Sequence, residues 1–196
     1  MRKNNDQERR RRLRRRRIQI IVIYTAIAVG LAWFFESQAT TTIIFVRHAE
    51  QTSYEEADPG LSDAGKQRAA ELTRQLVDAD VVAGIDAIYA TPLRRSLETV
   101  NPLSDQLQLA VNHYAIDDTE LVLDAILKDH KGQIVLIVGH AKTLPALIAN
   151  LGASKNVPPI DRDEFDNLYL VSIPWFGKTK TIRLRFGEPY RSAEAI

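Results

Sequence analysis

The sequence of 196 residues contains no cysteine and a single methionine. The absence of cysteine excludes a disulfide framework, a thiolate zinc site and a cysteine nucleophile. It also removes the residue whose spacing can indicate the redox compartment of a protein. Any catalytic or ligand-binding chemistry of this chain must therefore rest on other side chains.

Acidic residues are scarce at the amino terminus, where residues 1 to 17 hold 10 Lys and Arg against 2 acidic residues. The whole chain has 26 Lys and Arg and 25 Asp and Glu, so 16 basic and 23 acidic residues remain beyond Arg17. The arm carries +8 and the rest of the chain −7. The net charge therefore hides a mildly acidic body, and we expect no nucleic-acid partner.

The longest run without charge extends from Ile18 to Phe35 and has 18 residues, which is long enough to span a bilayer. The arginines before it predict that its amino end lies in the cytoplasm, and Trp33 with Phe34 and Phe35 would anchor the far interface. We predict a single transmembrane signal-anchor, with everything after it on the periplasmic or extracellular side. The predicted segments are a basic cytoplasmic arm (1–17), the anchor (18–35), a linker (36–41) and a globular domain (42–196).

Two alternatives to the anchor are open at this point. Ser37-Gln38-Ala39 has the small-x-small form of a signal-peptidase site, so the chain could instead be secreted after cleavage near Ala39. The apolar run could also be a buried core helix behind a nucleic-acid-binding arm, but a soluble core helix normally has a polar face. Both the anchor and the cleaved signal place the domain outside the cytoplasm.

Apolar runs of strand length alternate with helical patterns after residue 42, which predicts an α/β domain. We expect a three-layer sandwich, with a mostly parallel central sheet flanked by helices and one transmembrane helix before it. The predicted strands are 43–46, 87–90, 109–114, 133–138, 167–173 and 179–185, the last two joined as a hairpin. The predicted helices are 62–78, 91 onwards with a bend at Pro102, 119–130 and 143–151.

Two histidines stand directly after strong predicted strands, in Arg47-His48 and Gly139-His140. In open α/β sheets, ligands bind beyond the carboxyl ends of the strands, so these side chains are expected to converge. A third strand ends at Thr91-Pro92, which we interpret as the N-cap and first position of a helix that carries Arg94 and Arg95. Two guanidiniums and two neutral imidazoles would suit a tetrahedral dianion and could perform phosphoryl transfer without a metal or other cofactor.

Four segments in this order resemble the motifs of the histidine phosphatase superfamily, which includes the phosphoglycerate mutases. Val46-Arg47-His48-Ala49-Glu50 is similar to its RHG or RHAE signature, and Val138-Gly139-His140 to its late histidine motif. The other two segments are Leu61-Ser62-Asp63-Ala64-Gly65-Lys66-Gln67-Arg68-Ala69 and Ile88-Tyr89-Ala90-Thr91-Pro92-Leu93-Arg94-Arg95. By this resemblance His48 accepts the phosphoryl group, while Arg47, Arg95 and His140 bind it and stabilise its charge, and Arg94 occupies a variable position.

The sequence departs from the mutases between Arg95 and His140, where the segment that carries their acid is missing, so a mutase is not expected. The proton donor for the leaving group is unassigned, and four carboxylates are candidates for it, each with an ordinary role as a solvated loop residue: Asp117, Asp118, Glu55 and Glu56. Ala141-Lys142-Thr143 replaces the Ser-Asn-Thr of many small exported relatives, which alters the pocket rim.

The resemblance implies a metal-independent phosphoric monoester hydrolase of the histidine acid phosphatase type, belonging to a small exported branch. Its substrate would be a phosphorylated small molecule or a phosphoprotein, chosen by loops 49–60, 112–118 and 152–166. The alternative function is a membrane-anchored sensor that binds a phosphorylated ligand without turning it over. A nucleic-acid-binding protein is the third class, and its binding would depend steeply on salt through residues 1–17.

Overall fold

We examined a computed structural model of the chain, which describes residues 2–36, 40–78, 84–154 and 156–190. The predicted cleavage site at 37–39 lies outside the described residues, as do the last six residues of the chain. The chain divides into two compact units, Met1–Gln38 and Ala39–Ile196.

The first unit is one helix, α1 (Arg2–Glu36), which continues through both the basic segment and the apolar run. Within it, Arg11–Phe34 has a mean hydropathy of 1.8 and is long and apolar enough to cross a membrane. Its described side chains are exposed, and Trp33 has 74% of its surface accessible. By length and composition, this part of the helix could bury itself in a bilayer.

The second unit is an α/β domain, as the alternation of patterns in the sequence predicts. Its described residues form four helices and a six-stranded sheet. The strands are β1 (Thr41–Arg47), β2 (Ala87–Ala90), β3 (Val111–His113), β4 (Ile134–Gly139), β5 (Asn167–Ile173) and β6 (Lys180–Arg185). The helices are α2 (Asp63–Asp78), α3 (Arg94–Leu107), α4 (Thr119–Asp129) and α5 (Leu144–Asn150).

The strand order is β3-β2-β4-β1-β5-β6, and the first four strands run parallel to one another. The predicted hairpin is present, since β5 is antiparallel to both β1 and β6. The strand predicted over 109–114 is shorter than expected and comprises Val111–His113, where Asn112 and His113 are exposed. The mostly parallel sheet is therefore confirmed, with an antiparallel pair at one side.

Helices cover both faces of the sheet because apolar side chains of the inner strands point alternately to either face. Ile43 and Phe45 belong to one core, which also contains side chains from α4 and α5. Ile44 and Val46 belong to the other core, which contains Leu72 of α2 and side chains of α3. All four β1 side chains are at most 6% exposed. The three-layer arrangement predicted from the sequence is confirmed.

The start predicted for α3 is wrong, because the helix begins at Arg94 with Leu93 as its N-cap residue, which makes no side-chain cap. Thr91, expected as the N-cap, instead directs its hydroxyl to Ser96 Oγ at 2.8 Å. The first N–H of the helix, from Arg94, is also not available to a ligand, since Asp58 Oδ1 accepts it at 2.9 Å. Pro102 lies inside this helix, as predicted.

Helix α2 is capped as predicted and lies against the loop that follows β1. Ser62 Oγ accepts the Gly65 N–H at 3.1 Å, and Ser62 N–H donates to the Glu50 carbonyl at 2.9 Å. A Cβ atom added at Gly65 would fall against the backbone of Glu50, so only glycine permits this approach. Because Glu50 lies two residues after His48, the start of α2 fixes the loop that carries the predicted nucleophile.

Replacing Gly65 by alanine should therefore destabilise the domain and reduce its activity. The added methyl group must displace the Glu50 backbone, and overpacking of this kind costs about 1–3 kcal/mol. We expect a lower midpoint of urea unfolding together with a lower kcat. The matched control is Gly84→Ala, since a Cβ at Gly84 meets no atom within 4 Å. Equal midpoints for the two variants would contradict the account.

Candidate active site

Three neighbouring parallel strands end together, and each is followed by a residue that sequence reasoning singled out. The register pairs Arg47 of β1 with Gly139 of β4, so His48 and His140 come next on adjacent strands. Thr91 follows β2, the other neighbour of β4. The ring centroids of the two histidines are 5.2 Å apart. We call this end of the sheet, marked by Arg47 and Gly139, the site edge.

The imidazole of His48 is held in a single tautomer. The side chain is 4% exposed, and its Nδ1 lies 2.8 Å from the carbonyl oxygen of Ala49. A carbonyl oxygen can only accept, so Nδ1 carries the proton and donates it. The lone pair is then on Nε2, which is the nitrogen a nucleophilic histidine needs to present.

Both imidazoles are neutral at physiological pH. Burial is the largest effect at His48 and lowers its pKa to about 3, although the bond to the Ala49 carbonyl acts in the opposite direction. His140, Arg47 and Arg95 lower the pKa of His48 further. Burial, followed by the charges of Arg95 and Arg47, also lowers the pKa of His140 to about 4. A neutral ring retains the lone pair that attack on phosphorus requires.

The second histidine is oriented through a hydroxyl pair. His140 Nε2 lies 3.0 Å from Thr91 Oγ1, and the Thr91 hydroxyl donates to Ser96 Oγ at 2.8 Å. The Thr91 hydroxyl therefore connects the imidazole of His140 to Ser96 and restricts rotation of the ring. Thr91 and Ser96 are both fully buried, so the arrangement is well fixed.

The guanidinium of Arg47 is held by backbone carbonyls of the segment before β5. Its Nη1 donates to Asp161 O at 2.8 Å and to Glu164 O at 2.9 Å. Its Cζ lies 3.9 Å from the centroid of the Phe165 ring, and this ring is 6.0 Å from that of His48. Burial lowers the pKa of Arg47, yet a guanidinium keeps its charge in proteins. The site therefore has a fixed positive charge beside His48.

An ion-pair network between two buried carboxylates and the partly exposed Arg185 supports this segment from behind. Both oxygens of Asp166, which is fully buried, lie 2.7 Å from Arg185 Nη1. Glu164 accepts from Arg185 Nη2 at 3.2 Å and from the Asp161 N–H at 3.1 Å. Through these bonds β6 fixes the two carbonyl oxygens that orient Arg47.

Arg95 lies on the site side of α3, and Arg94 does not. Arg95 Nε is buried, and the charge of Arg95 contributes to the lowering of the pKa of both His48 and His140. Arg94 is exposed and pairs with Glu98 at 2.7 Å. The two arginines therefore differ in the way that the resemblance implies, with Arg95 partly buried and Arg94 in solvent.

Two buried donors of the site have no partner within the described residues, namely Arg47 Nε and Arg95 Nε. An unpaired buried donor costs about 1–3 kcal/mol, and an oxygen of a bound anion would recover that cost. The two arginines and two neutral histidines together carry a charge of +2. The site is therefore suited to a dianion with several oxygens, as a phosphoryl group is.

The four candidate acids are not brought into this arrangement as hydrogen-bond partners of the histidines. Asp117, Asp118, Glu55 and Glu56 are all exposed. In the part of the chain that the structure describes, the partners of the two imidazoles are a carbonyl and a hydroxyl, and no carboxylate bonds to either ring. No cluster of three or more metal-ligating side chains occurs among the described residues.

Sequence reasoning missed several residues that shape the site. Thr99 Oγ1 accepts the Ala49 N–H at 2.9 Å and donates to Arg95 O at 2.7 Å, so it joins two site segments. Its position one helical turn after Arg95 is the signal that could have indicated it. Phe165 stands in loop 152–166, where no pattern indicates contact with Arg47. Tyr54, with its hydroxyl 3.1 Å from Asp163 Oδ1, joins that loop to loop 49–60 at the rim.

The neutral state of His48 should persist well below physiological pH. Since its pKa is about 3 rather than 6.5, the Nδ1–H tautomer should remain between pH 7 and pH 5 in nitrogen-15 NMR spectra of histidine-labelled protein. His48→Gln assigns the signal by removing it. A His48 titration midpoint near 6.5 would contradict this geometry.

The stability of the domain should also depend on these two histidines. Both gain protons on unfolding, so the free energy of unfolding should decrease as the pH falls from about 6.5 towards 4.

Comparison with known proteins agrees with this arrangement. Residues 43–116 match the profile of the histidine phosphatase superfamily (branch 1), a range that includes Arg47, His48 and Arg95 and ends before His140. No curated protein sequence matches the chain.

Solved structures share the fold at low sequence identity. The protein histidine phosphatase SixA in complex with tungstate has a TM-score of 0.61 and 18% identity, over 74% of this chain and 96% of its own. A candidate phosphohistidine phosphatase SixA from Nakamurella multipartitia has a TM-score of 0.54 and 17% identity, over 78% of this chain and 98% of its own. A mycobacterial glucosyl-3-phosphoglycerate phosphatase has a TM-score of 0.51 and 14% identity, over 68% of this chain and 90% of its own. Residues 43–116 are thus similar to the histidine phosphatase superfamily (branch 1), and the solved structures share the fold of the domain.

Proposed function

We propose that the protein is a phosphatase in which His48 Nε2 attacks the phosphorus atom of a phosphorylated substrate. The observation that carries the proposal is the neutral His48 ring, fixed by its Nδ1–H bond to the Ala49 carbonyl beside two guanidiniums. As the bond from Nε2 to phosphorus forms, the bond from phosphorus to the leaving group breaks. Water then attacks the phosphohistidine, releases inorganic phosphate and restores the ring.

In this mechanism the protein contributes mainly fixed charge. Arg47 and Arg95 bind the oxygens of the transferring group, and their buried Nε donors gain a partner at that moment. Thr91 Oγ1 occupies Nε2 of His140, so Nδ1 is the ring nitrogen that remains for contact with the phosphoryl group. The dianion opposes the effect of the arginines on His140, so substrate binding favours protonation of this ring, which then donates to a phosphoryl oxygen.

The basicity of the leaving group determines whether breakage of its bond to phosphorus requires a proton from an acid. An alkoxide requires a proton from a well-placed acid, whereas the four candidate carboxylates are exposed. A phosphorylated histidine has a better leaving group, because imidazole can take a proton on its other nitrogen, with a pKa of about 6.5. We therefore favour a phosphohistidine in a protein as the substrate, in line with the description of the SixA structures.

The rates of hydrolysis should follow the acidity of the leaving group. With the full chain in nanodiscs, we expect phosphate release from an aryl phosphate and a phosphohistidine peptide, and much slower release from a phosphoserine peptide. A chelator should not change these rates. His48→Ala should abolish turnover, and acid-labile, base-stable phosphate should be trapped on the native chain.

Substitutions of two adjacent arginines compare a site residue, Arg95, with its exposed neighbour, Arg94. Arg95→Ala should lower kcat/KM by about 10²–10³-fold, because it removes charge stabilisation of the transition state. Arg94→Ala removes only an exposed ion pair and should have little effect. Folded protein that binds phosphate or tungstate but turns over no substrate would favour the alternative, a sensor of a phosphorylated ligand.

We also propose that α1 anchors the protein in a membrane with the phosphatase domain on the periplasmic or extracellular side. Two observations support this. Arg11–Phe34 is long and apolar enough to span the bilayer, and the seven arginines among residues 9 to 16 precede the apolar run. Basic residues flanking a span favour the cytoplasm, which leaves the domain on the opposite side.

The absence of cysteine makes this topology directly measurable, since an introduced cysteine has no background. On intact cells, a maleimide that does not cross the cytoplasmic membrane should label Gln106→Cys, which is exposed on α3. It should label Asn4→Cys only after lysis. The reverse pattern would contradict the proposed orientation. Loss of Asn4→Cys together with a shortened chain would show that the segment is a cleaved signal.

A further inference from the structure

Two exposed aromatic side chains stand at the tip of the hairpin between β5 and β6. Phe176 is 86% exposed and Trp175 is 56% exposed, with ring centroids 6.4 Å apart. The connection 174–179 also contains Lys178, and β6 begins with Lys180, while no acidic residue occurs from 174 to 180. Neighbouring exposed aromatic residues of this size mark an interaction surface.

The register of the sheet places this tip at the end opposite to the site edge. Thr41, the first residue of β1, pairs with Ile173, the last residue of β5. The hairpin tip therefore begins directly beside the point where the chain enters the sheet. Lys131 lies at the same end, since its neighbour Gly132 donates to Thr41 Oγ1 at 3.0 Å. His48 lies beyond the other end of β1, about 23 Å from Thr41 at 3.3 Å per residue.

The sequence between the apolar run and the sheet is short. Five residue steps connect Glu36 to Thr41, a contour length of at most about 18 Å. On the anchoring proposed above, the chain therefore enters the sheet a short contour length after the lipid interface, and the hairpin tip lies at the end of the sheet where the chain enters.

We propose that the tip formed by residues 174–180 is a membrane-contact surface that inserts Trp175 and Phe176 into the lipid interface. The inference rests on the anchoring proposed for α1 and goes beyond it, because it assigns a second contact and an orientation. Aromatic rings favour the headgroup boundary, and lysines can extend their ammonium groups to lipid phosphates. With this contact made, the site edge faces the aqueous phase, so the substrate reaches His48 from solution.

The chain has two tryptophans, which allows each contact to be observed separately. In Trp33→Phe the only reporter is Trp175, and in Trp175→Phe it is Trp33. With the full chain in vesicles whose phospholipids carry bromine near the headgroup end of the acyl chains, we expect both reporters to lose most of their emission. Trp175 should also emit at shorter wavelength and resist quenching by aqueous iodide.

Two further variants test whether the tip itself makes the contact. Phe176→Ser in the Trp33→Phe background should restore Trp175 emission and iodide access while leaving phosphatase activity unchanged. A tryptophan at the opposite end, introduced as Leu121→Trp near the start of α4 in a chain without the other two, should escape bromine quenching. Leu121 is 65% exposed, so its accessibility is comparable to that of Trp175.

Each outcome separates this inference from the anchoring on which it rests. Quenching of Trp33 without quenching of Trp175 overturns the membrane contact and leaves the anchor intact. Protection of Trp175 from iodide without bromine quenching would assign the tip to a second copy or another protein and also overturns the proposal. Equal quenching of Trp175 with and without Phe176→Ser would show that Trp175 is near the lipid only because of the short linker, and it would overturn the insertion of the tip. Absence of quenching at both tryptophans would refute both the contact and the anchor.

Discussion

The parallel pairing of β1 with β4 is the constraint on which the chemistry of the domain depends. It sets Arg47 beside Gly139 and thereby brings His48 and His140 to a centroid distance of 5.2 Å. A shift of one residue would move every side chain of β1 to the opposite face of the sheet and so exchange the side chains that β1 packs into the two apolar cores. Burial of apolar side chains on both faces, rather than any attraction between the imidazoles, thus fixes their separation.

Positive charge at the site is preserved because backbone carbonyls, not carboxylates, hold Arg47. The carbonyls of Asp161 and Glu164 orient the guanidinium without neutralising it. The nearby buried carboxylates are directed to Arg185 instead, where they form the network that fixes those carbonyls. Burial, followed by this positive charge, lowers the pKa of both histidines. The carbonyl partners of Arg47 thus keep the positive charge of the site and also support the neutral state of His48.

The sequence predicts the inner strands well, because continuous runs such as Ile43 to Val46 are buried on both sides and have few alternatives. The convergence of His48 and His140 also follows from strand-end placement alone. The start of α3 is mispredicted because the Thr91 hydroxyl serves two interactions across the fold, Ser96 and His140, that local capping rules do not contain. The role of Phe165 could not be predicted, since it depends on how an irregular loop returns over Arg47.

The two ends of the sheet differ in chemistry, and this difference bears on what the protein can act upon. The site edge carries buried guanidiniums and imidazoles, while the end at Thr41 carries exposed aromatic rings and lysines. The two groups lie beyond opposite ends of the same strand, since Arg47 pairs with Gly139 and Thr41 pairs with Ile173. A partner that covers the exposed aromatic rings would therefore leave the anion site open to an incoming phosphoryl group.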